Sequence, residues 1–354
     1  MHMQKDSKPH VWETFLKYKH APLVLFAFVC FIFFTGYITS SVVTKDKYQD
    51  FLGNFRNICE NTSKYTFINP LVGNISAPAT DVGIYSDIKS DIDSYLKKEK
   101  KKGELFDYSF YFRDLNSGLW FGSNENASFF PASLFKLPIA IAVYKQSEHQ
   151  PGFIDKTVLF TEEIAKRNDS IALNASSILE VGHAYSVKDL VNLMIIDSDN
   201  GAKDLLLSVM DMGYFDDLFQ TISFVDYDTE NKYGLSSRKY ALFLRILYGS
   251  SYLDEAHSEF LMGLLTKSEY KEGLIGGIPG SIKVAHKFGT YQFDEVQNGI
   301  NIPSRQLHDC GIVYHTQKPY LICFMTKGKD LETLQRIISH ISGLVYEYQS
   351  EEDH

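Results

Sequence analysis

Cysteine is scarce in this chain of 354 residues: there are four, Cys30, Cys59, Cys310 and Cys323. None stands in a Cys/His spacing that would hold zinc, and four thiols cannot lace a disulfide-built scaffold of this length. An excess of positive charge is lacking too. Lys and Arg number 35 against 44 Asp and Glu, a net charge of −9, which gives nucleic-acid phosphates no basic footprint, so no nucleic-acid partner is expected. There is no internal repeat, and no stretch has the low hydrophobicity and high charge of a disordered chain. Hydrophobic residues make up 44% and charged residues 22%, an ordinary globular balance that allows one large domain with appendages or two small ones.

What is present begins with an apolar run. Ala21 to Thr44 carries no charge, with Leu23 to Phe34 at its heart; a membrane-spanning helix needs about 20 such residues. No small-x-small cleavage site follows, only Thr39-Ser40-Ser41, so residues 21–43 read as an uncleaved anchor rather than a signal peptide. Lys5, Lys8, Lys17 and Lys19 precede the run against Asp6 and Glu13. That lysine excess keeps the tail 1–20 in the cytoplasm and leaves the rest of the chain outside a cell membrane. Residues 44–83, polar and interrupted by Pro70 and Pro78, read as a spacer. Asn61-Thr62-Ser63 and Asn174-Ala175-Ser176 match a glycosylation triplet that matters only in a eukaryotic secretory pathway, and read as chance.

From Ile84 the positions Ile84, Ile88, Ile92 and Leu96 recur at helical spacing, and Lys97–Lys102 with Gly103 close that helix. Phe106–Phe112 alternates like a strand, and a turn at Asn116-Ser117-Gly118 leads to a second at Leu119-Trp120-Phe121. A long apolar helix follows Pro131, from Leu134 to Tyr144; residues 150–180 read as irregular. Ser186, with Asp189 three residues on, opens another helix, and more are expected at 201–210, 237–248 and 254–265. Strand patterns return at Ile282–Ala285, Cys310–Tyr314 and Tyr320–Met325. The last helix carries Leu331, Leu334, Ile337, Ile338, Ile341, Leu344 and Val345 on one face. Strands at both ends with helices between predict an α/β protein of the α+β kind: one antiparallel sheet built from both chain ends, flanked by helices, beside an all-helical lobe, over residues 84–350. Should Tyr314 pair with Pro319, Cys310 falls opposite Cys323; a disulfide and two buried thiols both fit there.

Chemistry is suggested first by Ser133-Leu134-Phe135-Lys136. A serine attacks carbonyls only when a base takes its proton, and a desolvated lysine three residues on can be that base. Ser-x-x-Lys also occurs at Ser86, Ser94, Ser236 and Ser268, but those lie in polar stretches. Ser133 alone sits where a loop, Pro131-Ala132, enters a buried apolar helix, with its N–H free to help hold an oxyanion. Ser198-Asp199-Asn200 lies at a helix-to-helix corner, where each residue type also caps helices well. Lys287-Phe288-Gly289-Thr290 follows Ile282-Lys283-Val284-Ala285, and its glycine permits close approach to the strand backbone.

The ordered set Ser-x-x-Lys, Ser-Asp-Asn, Lys-x-Gly-Thr resembles class A β-lactamases and penicillin-binding proteins. The flanking Phe130-Pro131-Ala132, Val284-Ala285-His286 and Asp309–Thr326 are similar to that family as well. The resemblance implies that Ser133 is acylated and that Lys136 takes its proton or holds the network that does. It implies that Ser198 passes a proton to the leaving nitrogen, that Asn200 bonds the substrate's side-chain amide, and that Lys287 places positive charge behind the site. The N–H groups of Ser133 and Thr290, with Gly289 between the lysine and threonine, would form the oxyanion hole, and Asp199 would hold the loop. No metal or cofactor is implied; the expected partner is a β-lactam or a peptidoglycan stem peptide.

Two departures qualify the resemblance. Phe288 stands where the family has a hydroxyl residue that helps bind the substrate carboxylate; Thr290, two residues on, shares its strand face. The stretch between Asn200 and the helix at Ser236 is short, and Phe224 to Asn231 lacks a Glu-x-x-x-Asn pattern, leaving Glu230 as the candidate deacylation base. Acylation machinery without a fast deacylation device suits a D,D-carboxypeptidase-like or penicillin-binding protein better than an efficient β-lactamase. An esterase or amidase on another substrate, and a non-catalytic domain that binds wall peptide, are the competing readings.

Overall fold

The computed structural model describes residues 65–70, 84–171, 178–222, 234–297, 300–316 and 318–351. The tail 1–20, the anchor 21–43, Glu230 and both glycosylation triplets lie outside the described residues. Among the described residues no helix is long and apolar enough to cross a membrane.

The chain opens with α1 (Ser86–Lys101), whose buried face is Ile88, Ile92 and Leu96. Ile84, expected on that face, is 59% exposed because the helix begins after it. Two strands follow, β1 (Leu105–Asp114) and β2 (Trp120–Ser123). A 3-10 turn over Ala132–Phe135 leads into α2 (Lys136–His149), which is buried at ten of its 14 positions; a helix apolar on every side belongs at the centre of a core. The stretch 150–180, expected to be irregular, instead holds a strand β3 (Thr157–Leu159) and a helix α3 (Glu162–Ile171). β3 pairs with β4 (Ala184–Ser186) in a two-stranded ribbon.

The lobe continues through α4 (Val187–Ile196), α5 (Asn200–Leu207) and α6 (Met212–Thr221). It ends with α7 (Ser237–Tyr248) and α8 (Glu255–Leu265). Helix α6 was not expected; it fills part of the interval before Ser236, and the side chain of Asp211 caps it by accepting the Gly213 N–H. Strands β5 (Val284–Gln297), β6 (Ile300–Val313) and β7 (Tyr320–Gly328) and the long helix α9 (Leu331–Glu351) complete the chain.

The sheet runs β2-β1-β7-β6-β5, all neighbours antiparallel, so the first strands pair with the last as expected. Period-two alternation gives the sheet two apolar faces. Phe110, Phe112, Ile322 and Phe324 pack with α1 and α9, while Tyr111, Leu321, Cys323 and Met325 face the helical lobe. Cys310 pairs with Cys323 in register, and the two form a disulfide. The third motif, Lys287–Thr290, lies within β5, well past the expected strand end at Ala285. Part of the stretch read as spacer is docked: Ile68 is buried in the lobe core, and the Asn69 N–H bonds the Tyr248 carbonyl at 2.8 Å.

Candidate active site

The turn that carries Ser133 is tightly built. Ala132 has φ +50°, a left-handed conformation that costs a non-glycine residue about 1–3 kcal/mol and survives only where its surroundings impose it. Ser133 and Lys136 then stand three residues apart across a 3-10 turn, which eclipses such positions more closely than the α-helix expected there. Three contacts fix the turn from outside. The buried Tyr240 hydroxyl of α7 donates to the Leu134 carbonyl at 3.1 Å. His308 of β6 donates from Nε2 to the Phe130 carbonyl at 3.0 Å. Its Nδ1 accepts the Thr326 N–H, which fixes that tautomer. The third contact is Gly289. A Cβ there would lie 2.9 Å from the Ser133 nitrogen and 3.1 Å from the Pro131 carbonyl oxygen, so only glycine lets β5 back onto this turn. The third motif thus touches the first, and Thr290 follows, exposed at the strand edge.

Lys136 is 1% exposed, and its ammonium nitrogen donates to the Ser198 carbonyl and, at 3.1 Å, to the Ser198 hydroxyl. Ser198 is held at φ +58°, also left-handed. Burial first, then the charges of Lys287 and Lys203, hold Lys136 well below its ordinary range, against Asp199 and Asp204. An amine so placed can stand neutral and accept a proton. Asp199 spends both oxygens on structure: one caps α5 through the Ala202 N–H at 2.7 Å, the other accepts the Ile178 N–H at 2.7 Å. That is the loop-holding place expected of it. Asn200, half-buried, begins α5.

Lys287 is fully buried, and among the described residues its ammonium has no hydrogen-bond partner. Burial pushes it down to about 7, with Asp309 and Asp197 opposing. Phe288 turns to the other face of β5, opposite Asp309 in the strand pairing, and stacks on Tyr270. The structure therefore brings together Ser133, Lys136, Ser198, Lys287 and Gly289, with Asn200 and Thr290 on the adjoining helix start and strand. Sequence reasoning missed His308, Tyr240 and Tyr270. A single aromatic or histidine residue carries no period and no motif, and its role exists only after the sheet and lobe close.

The sequence model of the Beta-lactamase enzyme family matches residues 87–349. The chain belongs to that family. Family membership places it among serine hydrolases of the β-lactamase type, and the family's solved structures share its fold. PBP-A superposes with a TM-score of 0.61 at 19% identity, over 76% of this chain and 97% of that one. A β-lactamase from Chitinophaga pinensis DSM 2588 gives 0.61 at 18% identity, over 74% and 99%. A class A β-lactamase from Bacteroides cellulosilyticus DSM 14838 gives 0.61 at 19%, over 76% and 99%. No curated protein matches the sequence.

Proposed function

We propose that the protein forms a covalent acyl-enzyme at Ser133 with β-lactams or acyl-D-Ala-D-Ala peptides and releases it slowly. The observation that carries this reading is Lys136, buried, depressed in proton affinity and bonded to Ser198. Lys136 takes the Ser133 proton as Oγ attacks the carbonyl carbon. Ser198, at the other end of the same bond, passes a proton to the leaving nitrogen. The N–H groups of Ser133 and Thr290 receive the oxyanion, Asn200 and Gly289 line the acyl side, and Lys287 supplies positive charge. A variant of PBP-A was captured as an acyl-enzyme complex with penicillin-G, which supports a β-lactam as the probe. Slow release follows from the Phe224–Asn231 stretch, which lacks the Glu-x-x-x-Asn pattern; Glu230 is the residue to watch for residual deacylation. Anchoring by residues 21–43, with the catalytic domain outside the cell membrane, belongs to the same proposal.

The test is an intact-mass time course of the full chain, kept in detergent micelles, with penicillin-G and Ser133→Ala as control. A wild-type adduct that persists, and is absent from Ser133→Ala, is expected. Penicillin consumed without a lasting adduct would make the protein a working β-lactamase, with a base such as Glu230 active. Neither adduct nor consumption would sink the β-lactam reading. A second reading, an esterase or amidase on another acyl donor, is favoured by Phe288, because an aromatic ring offers a substrate carboxylate no hydrogen bond.

A further inference from the structure

On β5 the residues Lys287, Gly289, Tyr291 and Phe293 share one face by period-two alternation. It is the face that meets the nucleophile turn, since a Cβ on Gly289 would lie 2.9 Å from the Ser133 nitrogen. The strand pairing agrees. It sets Lys287 beside Cys310 and Cys323, Gly289 beside His308 and Met325, and Tyr291 beside Gln306 and Lys327. Along this face, away from Lys287, the two side chains after Gly289 are aromatic rings. Tyr291 packs on Phe130, the residue before Pro131, with centroids 4.9 Å apart and planes at 48°. Phe293 follows, 5.4 Å from Tyr291 with planes at 31°. The Lys327 ammonium lies 5.4 Å from the Phe293 centroid and closes the far end of the row.

The row is fixed and yet open. Its backbone is held by the β5–β6 ladder and by His308, which donates to the Phe130 carbonyl at 3.0 Å. Even so, Phe130 is 48% exposed, Tyr291 is 42% exposed and Phe293 is half-buried. One exposed ring needs no explanation; a contiguous row of rings that begins beside a nucleophile does. At the rise of a strand, Tyr291 stands about 7 Å and Phe293 about 14 Å beyond Gly289. A group that starts at a carbonyl held by the Ser133 N–H, and extends away from Lys287, therefore meets Phe130 and Tyr291 first and Phe293 next.

We infer that Phe130, Tyr291 and Phe293 form an aromatic subsite that selects acyl donors carrying a flat ring, or two rings in line, in the acyl portion. This deepens the Ser133 acyl-enzyme reading, in which Gly289 lines the acyl side, and rests on it. A ring is the matching group because aromatic pairs gain from offset or edge contacts beyond the area they bury, and the tilted row offers both. With a β-lactam, Ser133 Oγ bonds to the lactam carbonyl carbon and the lactam C–N bond opens. The Ser133 proton ends on the lactam nitrogen by way of Lys136 and Ser198. Nothing leaves, so the adduct adds the whole mass of the lactam.

Three penicillins that differ only in the acyl group test this: 6-acetamidopenicillanic acid with no ring, penicillin-G with one, and the 4-biphenylylacetamido analogue with two. The full chain in detergent micelles is mixed with each at subsaturating concentration, and the intact mass of the Ser133 adduct is followed with time. Penicillin-G should acylate about tenfold faster than the acetamido compound, and the biphenylyl compound severalfold faster again. Tyr291→Ser should bring the first ratio down to about threefold or less, and Phe293→Ser should erase the second. Partition of the rings into micelles is common to all variants, so the change in each ratio is what decides. Phe130→Ser, expected to lower the first ratio, serves if Tyr291→Ser does not fold. Equal rates for the three compounds in wild type, or ratios unchanged in folded variants, overturn the subsite while Ser133 labelling keeps the acyl-enzyme reading. If no compound labels Ser133, both fall together.

Discussion

Two lysines share one dry site, and the charge of Lys287 makes that of Lys136 more expensive. Lys287 is the more telling, because among the described residues nothing bonds its ammonium. An unfolded lysine keeps its proton to about pH 10.4, while folded Lys287 gives it up near 7. Between those values the unfolded chain binds more protons, so the stability owed to this group rises with pH across the window and is missing below it. Lys287→Met removes the buried charge and keeps the chain length. The variant should be more stable than wild type at pH 6, by on the order of 5 kcal/mol at most, with the advantage gone by about pH 10. Thermal denaturation at the two pH values decides it, and an advantage that does not change with pH would refute the buried-charge account.

At the scale of the element, the position of Ser133 depends on a residue of β6, the strand next to the edge strand β5. His308 of β6 is fully buried and donates to the carbonyl of Phe130, just before the strained turn. Burial pushes its imidazole down to about 4, against the bonds to Phe130 and Leu307. An unfolded histidine protonates below about 6.5, so between pH 6.5 and 4 the unfolded chain gains protons first and His308 costs stability as pH falls. His308→Phe keeps a ring but loses the donor. Acylation should drop about tenfold, and the deficit in melting temperature against wild type should be larger at pH 7 than at pH 4.5. Equal acylation would show that the turn holds itself. The three motifs were legible because each is a local pattern at fixed spacing. Helix α6 was passed over because Gly213 and the adjacent Asp216 and Asp217 interrupt a short apolar face of Phe215, Leu218 and Phe219. The reach of β5 past Ala285 was hidden by its mixed residues, which suit a strand at the edge of the sheet among the described residues.

For the molecule as a whole, the reading of strands at both ends and helices between was sufficient for the sheet, because central strands buried on both faces stand out as short apolar and aromatic runs such as Tyr320–Met325. It was insufficient for residues 65–70, where Pro70 and polar neighbours suggested spacer and only tertiary contacts show otherwise. Tyr65 donates to Glu255, the N–H groups of Thr66 and Phe67 donate to the Glu259 carboxylate at 2.8 Å each, and Tyr314 donates to the Phe67 carbonyl at 2.8 Å. Ile68, 5% exposed, fills the lobe core. These contacts tie the segment to α8 and to the end of β6, far from Ser133. Ile68→Ser in the full chain should therefore cost about 2–4 kcal/mol. At roughly 2–4 °C per kcal/mol for a domain of this size, melting should fall by several degrees or more. The rate of Ser133 acylation at 25 °C should stay as in wild type, because the contacts described for this segment go to Glu255, Glu259, Tyr314 and Tyr248. A free spacer would show no change in melting, and a segment that shaped the site would change the rate. The combination of lower melting and an unchanged rate is what a docked strap at the foot of the lobe predicts.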